Sequence, residues 1–99
     1  MAQQDLVLEV RIDAIEEPRQ GVTKTGNNWY SQTFQGTILG YSPKVIRFDV
    51  WGEDRIKMMN LQVGKTYSIK IDLESRPYVT QDRRTIWSND IKCYSAFAL

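Results

Sequence analysis

The sequence predicts an all-β fold, a five-stranded barrel with one short helix between the third and fourth strands. Apolar and polar residues alternate with the period of a strand in five segments. The gaps between those segments hold the Gly, Pro, Asn and Ser residues of turns. Only one segment has the start, the apolar stripe and the stop of a helix.

The first strand is Leu6 to Ile15, with Leu6, Leu8, Val10 and Ile12 on one face and Glu9, Arg11 and Asp13 on the other. Met1 to Gln4 precede it with nothing to pack against and are expected to be disordered. Glu16 to Asn28 contains Pro18, Gly21, Gly26 and an Asn pair, which predicts a long loop with some extended pairing around Val22. The second and third strands lie in Trp29 to Gly52 and are joined by a Tyr-Ser-Pro-Lys turn. Alternation points Tyr30, Phe34 and Ile38 inward on one, and Ile46, Phe48 and Val50 on the other. In the segment that follows, Glu53 and Asp54 suit a helix start, and Ile56, Met58 and Met59 form a short apolar stripe before Gly64. The expected helix lies within about residues 53 to 61. The fourth strand is Thr66 to Arg76, with Tyr67, Ile69, Ile71 and Leu73 inward and Pro77 ending it. The fifth runs from about Thr85 to Phe97 and places Trp87, Ile91 and Cys93 on the core face. This order of elements is that of the OB-fold, a Greek-key barrel. The alternative is another small barrel, such as an SH3-like one, which needs no helix after its third strand.

At 99 residues the chain fits one domain spanning residues 1–99. Its net charge of +1 offers no global attraction for a polyanion, so any electrostatic footprint must come from local clustering. The single Cys93 excludes an intrachain disulfide. The start of the chain lacks the basic and apolar regions of a signal peptide, and no apolar run approaches the ~18 residues of a membrane span. The expectation is a cytoplasmic protein without membrane contact.

Five motifs carry a family resemblance: G-N-x-W at Gly26 to Trp29, F-x-V-W-G at Phe48 to Gly52, L-x-V-G-K at Leu61 to Lys65, D-L-E-S-R at Asp72 to Arg76, and W-x-N-D-I-K-C-Y at Trp87 to Tyr94. Over roughly residues 6 to 95 the chain resembles a family of short bacterial OB-fold proteins. Its members are described as domains of unknown function or as single-stranded-DNA-binding proteins. The resemblance implies the fold and single-strand binding. The chain departs from the family pattern at Asn28, which replaces an acidic residue before Trp29, at Pro77 after Arg76, and in a longer loop after Tyr78.

The residues offer little for catalysis. Histidine is absent, and Cys93 falls at an inward position where a small buried hydrophobe is expected, so no enzyme activity and no cofactor are predicted. Asp49, Asp72, Glu74 and Asp90 lack compact oxygen-ligand spacing, and pairing with Lys or Arg is the expected role, as it is for Arg76. Single-strand binding needs aromatic platforms and cations on the second and third strands and the adjoining loops. Trp29 and Trp51 are the platform candidates, with Tyr94 a further one. For Trp51 a structural role at the barrel end is favoured, and for Trp29 the two readings are even. Arg47 and Lys70 are strand cations, Lys24, Arg83 and Arg84 lie on loops, and Asn27 and Asn28 are positioned to donate to bases or phosphates. The expected partner is single-stranded DNA, with RNA as the other single strand. The alternative function is a protein-interaction module without nucleic acid, favoured by the near-neutral charge and by an apolar C-terminal YSAFAL suited to docking in a homo-oligomer.

Overall fold

The computed structural model describes residues 6–40 and 42–99. The expectation for Met1 to Gln4, and the Tyr41 position of the predicted turn, lie outside the described residues. The elements are β1 (Leu6–Ile15), β2 (Arg19–Val22), β3 (Asn28–Ile38), β4 (Lys44–Trp51), α1 (Glu53–Met59), β5 (Thr66–Val79) and β6 (Thr85–Ala98). The five predicted strands are β1, β3, β4, β5 and β6. The pairing expected around Val22 is β2, a short strand on the outer edge of β3 with Gly21 opposite Trp29.

The strand order is β1-β5-β6-β4-β3-β2, and β1 also pairs with β3, so the ladder returns on itself as an OB-fold barrel. One strand serves two neighbours because β1 bends. Leu6 to Arg11 pair with β5 and Val10 to Ile15 with β3, with an irregularity between Ile12 and Ala14. The β4–β6 seam is the thinnest part of the wall, a parallel contact with Asp49 opposite Lys92. Helix α1 packs against β3, β4 and β6. Ile56 and Met59 face the core while Met58 is exposed, so the apolar stripe is narrower than the sequence suggested.

Alternation becomes core where opposite walls face each other. Val10, Ile12, Phe34, Phe48, Val50, Ile69, Ile71 and Cys93 are buried, and Phe34 stacks on Phe48 with centroids 5.7 Å apart. Burying each large side chain contributes roughly 1.5–3 kcal/mol relative to leaving it exposed. Beyond the barrel, β5 and β6 continue together as a two-stranded arm, pairing from Asp72 and Lys92 out to Val79 and Thr85. This arm overturns three expectations. Leu73 is 59% exposed and Trp87 62% exposed, although both have inward parity, because the arm projects past the wall that would cover them. Pro77 does not end its strand. It lies opposite Trp87 within β5, as an edge position that needs no N–H allows. Among the described residues, no helix is long and apolar enough to cross a membrane.

Candidate nucleic-acid interface

The outer face of β3 and β4 gathers aromatic side chains at one end. Trp51 lies opposite Ser31, which makes Trp29 its diagonal neighbour, and the two indoles sit 5.7 Å apart, tilted by 47°. Trp29 lies down over β2 because Gly21 has no side chain, a Cβ there falling 2.7 Å from the ring. Trp29 is therefore half-buried, whereas Trp51 is 41% exposed. The ranking from sequence is reversed, with Trp51 the more open ring. Lys92 places its Nζ 5.6 Å from the Trp51 centroid, a cation–π contact worth ~0.5–1 kcal/mol at an exposed site. The rings border a cleft of about 630 Å³ that Gly21, Asn28, Tyr30 and Glu53 also line.

Further along the face, carboxylates engage their neighbours. The Thr33 hydroxyl donates to Asp49 at 2.6 Å, and Arg47 makes a two-pronged ion pair with Glu16 at 2.8 and 2.9 Å, reinforced by the Gln35 amide at 3.1 Å. The hydrogen bonds from Arg47 and then Gln35 pull the Glu16 carboxyl down to about 2. Thr37 and Arg11 likewise hold Asp13 below the ordinary carboxylate value. A depressed carboxyl contributes stability that is present above its unfolded value of 4.5 and lost as pH falls toward 2. The melting temperature of Glu16→Gln should therefore converge on that of the wild type between those values. A constant difference across that window would contradict the pairing.

The structure brings some predicted site residues together and separates others. Trp29, Trp51 and Asn28 share the cleft. Lys24 and Asn27 belong to the neighbouring β2–β3 turn, where Asn27 accepts a backbone bond from Thr23 and donates its side-chain amide to Thr25. Arg47 has the same strand parity as Trp51 and meets Glu16 first. Lys70 stands on β5 between Val7 and Ser95, and Tyr94 borders a separate recess with Met58 and Met59. Arg83 and Arg84 occupy the tip of the arm, with Arg84 3.2 Å from Asp82. At about 3.3 Å per residue, the tip is roughly 25 Å along β6 from Lys92. Arg76 pairs with Glu74 at 3.1 Å and reaches Asp90 at 3.8 Å. Cys93 is buried, and desolvation pushes its thiol up to about 11, which leaves it a protonated core side chain. Lys92, whose Nζ stands over Trp51, is the residue that sequence reasoning missed. Its outward parity was legible, but its proximity to Trp51 depends on the β4–β6 seam.

The profile of a family described as a domain of unknown function, DUF3127, matches residues 5–96. The chain belongs to the DUF3127 family. No curated protein matches this DUF3127 chain. Among solved structures, it is similar to the mitochondrial single-stranded DNA binding protein Rim1 of S. cerevisiae, with a TM-score of 0.69 at 11% identity over 100% of this chain and 97% of that one. It is similar to a Plasmodium falciparum SSB in complex with ssDNA, with a TM-score of 0.58 at 12% identity over 100% and 96% of the two chains. A small single-stranded DNA-binding protein from Streptomyces coelicolor aligns with a TM-score of 0.52 at 12% identity over 99% and 95%. At these identities the likeness establishes a shared OB-fold for the DUF3127 chain.

Proposed function

We propose that this chain binds single-stranded nucleic acid, DNA in the first instance, without catalysing a reaction on it. The observation that carries the reading is the Trp29–Trp51 pair bordering one cleft on the β3–β4 face, with the Lys92 ammonium over the Trp51 ring. Indoles offer bases a π-face whatever the sequence, and cations nearby hold the backbone. The fold shared with proteins named for single-stranded DNA binding supports the same reading. Trp51 stacks a base on its open side, Trp29 forms the wall beside it, and Lys92 and Lys24 meet phosphates. Asn28 donates to a base or phosphate at the rim.

The test is a titration of fluorescent oligo(dT), with duplex DNA and oligo(U) alongside. Saturable binding to the single strands and none to the duplex supports the proposal, and no binding to either single strand ends it. Salt supplies a second reading. Contacts from Lys24 and Lys92 imply a log–log slope of about −1.4, and recruitment of Arg83 and Arg84 steepens it to about −2.8. An affinity unchanged by salt would remove phosphate contact from the account.

Glu16 should act against binding, because a phosphate must displace it from Arg47. Glu16→Gln is expected to tighten oligo(dT) binding at low salt and steepen the slope by about 0.7, one added phosphate contact. An unchanged slope would mean that Arg47 stays outside the nucleic-acid path.

A further inference from the structure

The β5–β6 arm has two unlike faces. On one, Leu73, Pro77 and Val79 of β5 lie alongside Ile91 and Trp87 of β6. This face continues the core stripe outward, from buried Ile71 and Cys93 through half-buried Ile91 to exposed Leu73, Trp87 and Val79. Of its polar members Ser75, Thr85 and Asn89, the first and last satisfy each other with a 2.7 Å hydrogen bond. The opposite face carries the charged Asp72, Glu74, Arg76, Asp90 and Lys92, with Tyr78 and Ile86 exposed on it toward the tip. Strand alternation has thus prepared the first face for burial, and nothing within the described residues covers it.

We propose that the apolar face of the arm is a homodimer interface, packed against the same face of a second copy about a two-fold axis. Three features favour a second copy over other occupants. The face carries no charged side chain, so two copies meet without like-charge repulsion and no opposite charge selects an unlike protein. It carries no Lys or Arg to track phosphates, which argues against a nucleic-acid strand as its cover. Its size is also just sufficient. With Leu73 59%, Trp87 62% and Val79 70% exposed, the arm face presents on the order of 400 to 500 Å² of accessible surface, so two copies in full contact bury at most about 1,000 Å², the lower bound for a specific interface. A patch of this size matches the largest found on a typical monomer, and such patches are often functional. The proposal does not depend on the aromatic cleft, which lies on the β3–β4 face.

The test is sedimentation equilibrium at tens of micromolar, with circular dichroism confirming that each variant is folded. The wild type should sediment at twice the 11.5 kDa of the chain. Leu73→Glu/Trp87→Glu should raise the dimer dissociation constant at least tenfold, because each charge would be desolvated without a partner. Leu73→Ser/Trp87→Ser provides the milder variant and should act in the same direction. Tyr78→Glu, on the charged face of the same arm, should leave the dimer intact. A monomeric wild type, a dimer indifferent to both double substitutions, or a dimer lost equally with Tyr78→Glu would each overturn the proposal. If the wild type is monomeric and the double variants lose oligo(dT) binding, nucleic acid is the occupant and the assignment fails in that specific way.

Discussion

Trp51→Ala is expected to weaken oligo(dT) binding at least tenfold while the protein remains folded. Removing an aromatic platform loses ~1–3 kcal/mol per stacked base, and 1.4 kcal/mol is a factor of ten. Trp51 is the more exposed of the paired rings, so its truncation should cost the fold no more than about 1 kcal/mol. Trp29→Ala should weaken binding similarly but cost about 1–2 kcal/mol of stability, because its ring covers Gly21 and supports Trp51. From the sequence, the exposed-platform and structural readings of Trp29 are even. The structure instead divides the labour, with one ring presented and the other propping it. Fluorescence titration with parallel thermal melts separates the two effects. If both variants are folded and bind within twofold of the wild type, the indole pair is structural and the proposed site is wrong.

Gly36→Ala should lower the melting temperature by roughly 5 to 20 °C, the equivalent of ~1–3 kcal/mol of overpacking. Gly36 sits opposite Ile12 where β1 passes from β5 to β3. A Cβ there would stand 2.5 Å from the Val10 side chain and 2.6 Å from the Arg11 carbonyl oxygen. A side chain can rotate away, but the carbonyl belongs to the ladder and moves only if the strands part. The glycine thus permits the close crossing that lets β1 belong to both halves of the barrel. The variant should show a lowered urea midpoint with an unchanged slope, the signature of lost stability without a changed unfolding transition. A melting temperature within 2 °C of wild type would show that the crossing has slack.

Much of the architecture was legible because its causes are local. The turn residues between Ile38 and Lys44 and the alternation on either side predict the β3–β4 hairpin, whose register runs from Ile38 opposite Lys44 to Ser31 opposite Trp51. Glu53 and Asp54 before a short apolar stripe predict α1, observed at Glu53–Met59. The candidate site was legible in part, since Trp29, Trp51 and Asn28 lie on elements adjoining one hairpin. Lys92 was not, because it approaches Trp51 through a pairing between strands separated by more than thirty residues of chain. Arg47 was recognised as an outward cation, but Glu16, its partner, comes from the opposite end of the first loop.

Leu73 and Trp87 mark the boundary between the two kinds of information. Alternation assigned them to the face that Ile69, Ile71 and Cys93 occupy, and the pairing of β5 with β6 keeps them on it. Side-chain parity is a property of the strand alone, so the residues dictate which side chains share a face. Burial requires a second surface at the right distance, and the wall opposite β5 and β6 ends where the arm begins. The same division applies to the indoles. Their strands and parity follow from local sequence, whereas the tilt of Trp29 over Gly21 and the exposure of Trp51 come from β2 folding back along β3. Local backbone preference sets the strands and their faces, and the distances between strands remote in sequence set what each face meets.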